Sequence, residues 1–371
     1  MNILVTGGVG FIGSHIVDLL LRDGHAVRIL DNLEQPTHQD GVPAYLPADA
    51  EFLEGDVRNE DDLKRALTGI EVVFHEAATG GFTPNISTYV DSNILGTARL
   101  LEVIRRERIP LKKMIVASSM GIYGEGKYAC STHGACHPQV RPESQLAEKR
   151  WEVECPTCRA PLRPLPTDEE TSPRPERAYS ISKLAQERLI LSTGMEFGIP
   201  AVALRYFLTY GPRQSLLNPY TGVCSIFSTM ILNGVPPMIF EDGRQTRDFV
   251  FVEDVARANL LVMEDPRADF HVYNVGTGSA VSIRDVVDTL ARHYGTSVAP
   301  RVGERYRLGE VRHLVADIRP LRQLGFEPRV TFQEGIQRYV EWIASQGDVR
   351  DYFTAAEEHL KGSGVIRSCA T

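Results

Sequence analysis

Two groups of residues in this chain have the types and spacing to do chemistry. The first is Tyr179-Ser-Ile-Ser-Lys183, in which a phenol and an ammonium four residues apart share one face of a helix. A neighbouring ammonium favours the phenolate, and a phenolate accessible near neutral pH can act as a general base. Taken alone, the pair also reads as an amphipathic surface helix. Two hydroxyls, Ser118 and Ser119, follow the aliphatic run Lys113-Met-Ile-Val-Ala117. That run reads as a strand, so the hydroxyls stand at its carboxyl end. The second group is sulfur-rich: Cys130, Cys136, Cys155 and Cys158, with His133 and His137 among them. Cys155-Pro-Thr-Cys158 is a tight knuckle, and four sulfurs, or three and an imidazole, suit tetrahedral zinc. Free thiols and a redox pair are the alternatives. No open coordination position with a nearby base is evident, so a metal there would be structural and would fold a segment too polar to make its own core.

These residues need a frame. Ile3, Leu4 and Val5 form an apolar strand that runs into Gly7, Gly10 and Gly13, and Ile16, Leu19 and Leu20 recur at helical spacing beyond them. Strand, glycine turn and helix together present backbone amides to a pyrophosphate. Phe11 and Ile12, inside the turn, belong to the same site. A second strand, Ala26-Val-Arg-Ile-Leu30, ends in Asp31, eighteen residues beyond Gly13. A carboxylate there accepts from ribose hydroxyls and repels a 2′-phosphate, so the expected cofactor is NAD rather than NADP; Asn32 lies beside it. Strand-like Glu51-Phe-Leu-Glu-Gly55 precedes Asp56 and Val57, placed to face an adenine, and Val72-Val-Phe-His75 precedes Ala77 and Ala78, small enough to let a cofactor pass. Ser118 and Ser119 would then stand near the nicotinamide end, where the cofactor's positive charge also favours a Tyr179 phenolate.

The alternation of strands and helices predicts an α/β fold, a Rossmann-type doubly wound parallel sheet. We assign 1–207 to this domain, with a Cys-rich insertion at 126–170. A smaller, discontinuous C-terminal substrate lobe takes 208–246 and 266–345. Residues 247–265 return to the main domain through Phe249-Val-Phe-Val252, and 346–371 form a peripheral tail. Ser282 is the expected N-cap of a later helix. With 371 residues, 43% hydrophobic and 24% charged, the composition is that of an ordinary globular protein. The net charge of −8 excludes general attraction to nucleic acid. No apolar run approaches the ~20 residues of a membrane span, and no cleavage signal follows the first strand. A cytoplasmic protein is expected, and six cysteines in this length do not suggest a secreted disulfide scaffold.

The ordered set of glycine turn, Asp31, Asn93 in Asn-Ile-Leu-Gly-Thr97, Ser119, Tyr179 with Lys183, Arg205-Tyr-Phe207 and Tyr210-Gly-Pro212 resembles the extended short-chain dehydrogenase/reductase family, specifically its nucleotide-sugar epimerases. The resemblance runs from residue 1 to about 345 and is broken by the insertion. It implies that Tyr179 deprotonates a sugar hydroxyl, that Lys183 holds the nicotinamide ribose and lowers the tyrosine pKa, and that Ser119 bonds the same sugar oxygen. Asn93 would aid the geometry of the cofactor site, unless it is a helix N-cap. Arg247 and Arg312 would bind the diphosphate and Phe240 would lie near the base. Leu208 departs from the asparagine that relatives often carry, and Arg213, Asn218 and Thr221 in the next loop could compensate.

Related dehydratases and decarboxylases carry acidic residues after the catalytic hydroxyl; Met120 and Gly121 stand there in this chain. The resemblance therefore implies a 4-epimerase, on UDP-glucose/galactose or UDP-glucuronate/galacturonate. Alternatives are a dehydratase or reductase on such a substrate, and a non-catalytic NAD-sensing binding protein with a zinc module. The family also implies a homodimer.

Overall fold

The computed structural model describes residues 1–35, 37–38, 41–80, 85–216, 222–303, 305–347, 349–362, 364 and 366–369. Seven strands form the central sheet: β1 (Asn2–Thr6), β2 (Ala26–Asp31), β3 (Glu51–Glu54), β4 (Val72–His75), β5 (Lys113–Ser119), β6 (Ala201–Tyr206) and β7 (Val272–Val275). They lie in the order β7-β6-β5-β4-β1-β2-β3, every neighbouring pair parallel. Alternation along each strand divides the apolar residues between two faces. Ile3, Val5, Ile29, Phe74 and Ile115 face one buried core. Leu4, Leu30, Val73, Met114 and Val116 face the other. Helix α1 (Phe11–Arg22) and a later helix, Val252–Glu264, contribute Ile16, Leu20, Val255 and Val262 to the first. The second takes Leu100 and Ile104 from Gly96–Arg106 and Ile190 from Ala178–Phe197. Strand order reverses between β1 and β4, so a crevice opens there at the carboxyl ends, where ligands of such sheets bind.

The doubly wound parallel sheet is as expected, but the return of the chain to it is not. Phe249–Phe251 pairs with Leu208–Tyr210 in a separate two-stranded sheet. The seventh strand of the main sheet is Val272–Val275, which lies within 266–345 and takes its register from β6. The run at 249–252 is apolar on both sides, so its pattern alone does not say which sheet receives it: Phe249 and Phe251 pack into a third core, apart from the main sheet, with Tyr210, Ile239, Leu290 and Tyr339. The helix that follows does return, by packing on α1. Ser282 caps Ile283–His293 in a reciprocal capping box with Asp285, as its position predicts.

The tail also departs from expectation. Phe353 and Ile366 are buried with Met230, and Ile366–Ser368 pairs antiparallel with Arg305–Arg307, because these two apolar side chains find a gap in the C-terminal lobe. The insertion carries more order than its composition suggests. Tyr128–Cys130, Gly134–Cys136 and Arg163–Pro164 form a small antiparallel sheet over Tyr128, Cys130, Val153, Cys155 and Leu162. Among the described residues no helix is long and apolar enough to cross a membrane.

Candidate active site

A cavity of about 580 Å³ lies across the crevice, and its wall includes Gly7, Gly10, Phe11, Ile12 and Gly13. Gly7 has φ +70°, and a Cβ on it would sit 2.7 Å from the Ala77 amide nitrogen. A Cβ on Gly13 would lie 2.3 Å from the Gly7 carbonyl oxygen. Both positions therefore need glycine, for left-handed backbone and for close approach. Gly10 caps α1 without any side-chain hydrogen bond, so the first-turn amides face the cavity, a fit for an anionic diphosphate. Asp31 stands at the end of β2, its carboxylate held by the amides of Val9 (3.1 Å) and Leu33 (3.0 Å). Asn32 donates to Asp56 at 3.0 Å. Burial pushes the Asp56 carboxyl up, but the hydrogen bonds of Arg58 and Asn32 hold it below the usual range. Asp31, Asn32, Asp56, Val57, Ala77, Ala78 and Ser118 all line the cavity, as do Tyr179 and Lys183.

At the far end Tyr179 opens the helix Ala178–Phe197, with the Ser119 hydroxyl near enough to favour its phenolate; Ser119 Oγ itself accepts from the Gly121 amide at 3.1 Å. Burial pushes its phenol up to about 12, against the lowering effect of Ser119. This departs from the expected depression by Lys183: burial, with Tyr89 and Glu76, carries the shift upward. Lys183 is buried, donates to Gln186 Oε1 at 2.6 Å, and burial brings its ammonium down to about 8. Asn93 does not line the cavity. It is fully buried inside a wide helical turn, Val90–Leu95, where its amide exchanges hydrogen bonds with the Thr79 backbone (2.8 and 3.1 Å) and donates to Ser182 (2.8 Å). It ties the loop after β4 to the tyrosine helix, and being inside a helix it is not an N-cap. Ser118 turns its hydroxyl to Glu187 (2.7 Å).

The family model described as the NAD dependent epimerase/dehydratase family matches residues 3–147 and 157–276. The chain belongs to that family. It is 33% identical to the dTDP-L-rhamnose 4-epimerase of Burkholderia thailandensis across 94% of this chain and 96% of the relative. A solved UDP-glucose 4-epimerase of Thermotoga maritima, with UDP-glucose, matches at TM-score 0.77 and 32% identity, covering 94% of this chain and 100% of that one. The Thermus thermophilus UDP-glucose 4-epimerase, in complex with NAD, matches at 0.74 and 31%, covering 93% and 100%.

In this family member the residues expected to bind the diphosphate fall into different places. Arg247 is buried and donates to Glu310 (2.6 Å) and to the Val311 carbonyl (2.7 Å). Arg312 is not available to a ligand: it is fully buried and spent on Glu152, Glu241 and Asp242. Those partners are far away in sequence, so nothing near Arg312 announces them. Arg213 is likewise committed, paired with Asp18 of α1 at 2.7 Å and stacked on Tyr45, because the loop after Tyr210 folds back onto the cofactor helix. Asn218 and Thr221 lie outside the described residues. Phe240 is half-buried beneath the guanidinium of Arg307, 4.5 Å from its ring centre.

Sequence reasoning missed Arg177 and Arg307. Together with Arg247 they surround Glu310, whose carboxyl is held down at about 2 by the three guanidiniums against the opposing effect of burial. Arg177 stands two residues before Tyr179 and donates to the Leu308 carbonyl at 3.0 Å. That position was the signal available. Glu76 was also missed. It lines the cavity, accepts from Tyr206 at 2.9 Å, and burial raises it to about 7.

The sulfur cluster gathers Cys130, His133, Cys155 and Cys158, with their ligand atoms all within 4.8 Å of one another. Cys136 is outside this group, a correction to the four-sulfur set. It sits on the second strand of the hairpin, directly across from Tyr128, whereas the turn after Cys130 brings His133 Nδ1 to 3.5 Å from both Cys130 and Cys155 Sγ. His137 points elsewhere, to the Tyr123 carbonyl at 2.8 Å.

Proposed function

We propose that this chain is an NAD-dependent nucleotide-sugar 4-epimerase, inverting the C4 hydroxyl of UDP-glucose/galactose or UDP-glucuronate/galacturonate through a transient 4-keto sugar. The observation that carries this reading is Tyr179 with Lys183 in the wall of the cavity that the glycine cradle opens, with Ser119 at the end of β5 and Met120 and Gly121 following where elimination or decarboxylation uses carboxylates. The glycine turn, Asp31 and Lys183 would hold NAD, which would supply hydride acceptance and return at C4, so the protein's share is proton transfer and orientation. Tyr179 removes the hydroxyl proton and gives it back to the ketone oxygen, Ser119 holds that oxygen, and Lys183 steadies the ribose and the phenolate. Arg177, Arg247 and Arg307 gather around Glu310, and guanidiniums so grouped suit a sugar-nucleotide diphosphate. Phe240 beside them suits the base. A panel of UDP- and dTDP-linked sugars tests the reading, since the similar enzymes carry names of both kinds. Inversion at C4 with no net redox change supports it, and release of water or carbon dioxide overturns it.

Two further parts belong to the same proposal. Three thiolates and an imidazole at Cys130, His133, Cys155 and Cys158 fit a closed tetrahedral zinc site of structural type. The exposed apolar side chains Ile86, Val90, Leu95, Ile181 and Met195, carried on the helical stretch 86–95 and on Ala178–Phe197, support a homodimer joined through those helices. Sedimentation of the wild type as a dimer and of Ile181→Glu as a monomer is the expected result; a monomeric wild type refutes it.

A further inference from the structure

The insertion does more in this structure than cover a surface. It holds residues 310–313, the segment on which the arginine cluster is built. Arg141 donates to the Glu310 carbonyl at 2.9 Å, and Glu125, at the insertion's threshold, accepts the Arg312 amide at 2.7 Å. The Tyr128 hydroxyl accepts the His313 amide at 3.1 Å. Glu152 takes the Arg312 guanidinium at 2.6 Å and lies 3.2 Å from His313 Nε2. From the other side, Arg247 donates to the carbonyls of Val311 and Arg312 and to the Glu310 carboxylate. The segment is thus clamped between the insertion and an arginine of the cluster.

What fixes the insertion is its sulfur site. Tyr128 is two residues before Cys130 and Glu152 three before Cys155. The module's own core comprises five buried side chains, two of which are the ligand thiols of Cys130 and Cys155. So small a core does not hold a fold without a cross-link or metal. By contrast, none of the described residues lining the cofactor cavity comes from 126–170.

We infer that the metal-bound insertion is a positioning device for the nucleotide diphosphate: it fixes residues 310–313, through them Arg247 and Glu310, and so sets affinity for the diphosphate independently of the cofactor. This rests on reading the arginine cluster as the diphosphate site. Titration of UDP and, separately, NAD into the full-length protein tests it, with zinc content measured on each sample. Zinc-loaded wild type should bind UDP. Arg307→Gln should weaken that binding, and if it does not, the diphosphate reading fails and the inference with it. Cys158→Ser should lose zinc and weaken UDP binding about tenfold or more, the scale of a lost charge-assisted hydrogen bond, with NAD affinity unchanged. Glu152→Gln should weaken UDP binding while keeping its zinc, which separates positioning from collapse of the module. Chelated wild type should recover UDP affinity when zinc is returned. Zinc near zero in the purified wild type, unchanged UDP affinity after loss of the metal, or an equal loss of NAD affinity would each overturn the inference.

Discussion

Tyr179→Phe loses turnover by about 10²- to 10⁴-fold, the range for removal of a positioned proton-transfer group, while sugar-nucleotide binding persists. The phenyl ring keeps the packing beside Tyr89, whose ring centre is 6.0 Å away, and removes only the phenol oxygen. The loss should therefore appear in kcat with little change in KM. The wild-type pH profile has a worked sign. Burial pushes the Tyr179 phenol up to about 12 and brings Lys183 down to about 8, so with phenolate and ammonium both required turnover rises as pH approaches about 8 and then levels, the growing phenolate fraction being offset by loss of the ammonium. The positive charge of bound nicotinamide acts against burial, lowers the phenol's pKa and so raises the height of that plateau. Full turnover by the phenylalanine variant would remove Tyr179 from the mechanism.

Glu187→Ala should destabilise the fold by about 3–5 kcal/mol, the usual cost of breaking a buried ion pair from one side. Glu187 is fully buried, and Arg205 of β6 forks onto it at 2.7 and 3.0 Å. Ser118 donates to the same carboxylate at 2.7 Å, and Arg205 also donates to Tyr123 at 2.7 Å. Removing the carboxylate leaves a guanidinium in the interior next to the serine strand end. Replacing both partners by apolar residues of similar volume should cost much less, because no unpaired charge remains. Denaturant unfolding followed by circular dichroism measures both, and a Glu187→Ala cost below about 1 kcal/mol, the worth of a surface pair, would contradict this account.

The parts of the site legible in sequence are those whose chemistry is local. Gly7, Gly10 and Gly13 are fixed by one turn, Asp31 by the end of one strand, and Tyr179 with Lys183 by one helix; each stands in the cavity as its spacing implies. What sequence could not supply depends on distant partners. Arg312 looks as free as Arg247 until Glu152, Glu241 and Asp242 arrive from two other segments. Cys136 and His133 are equally good ligands on paper, and only the hairpin register separates them. The strand at 272–275 and the one at 249–251 are both short and apolar, so their sheets are decided by packing, not by pattern. The upward pull of burial on the Tyr179 phenol is likewise a property of the assembled pocket, whereas the lysine four residues on is visible in the chain.

The central claim is that C4 is oxidised and reduced within one active site by a hydride that never leaves it. The most direct measurement follows the label from a UDP-sugar deuterated at C4, incubated with the protein and NAD in ordinary water. The account predicts a C4-inverted product that retains its deuterium, with no net NADH formed. Product whose C4 hydrogen comes from water, or a product lacking the C6 oxygen or the C6 carbon, would contradict it.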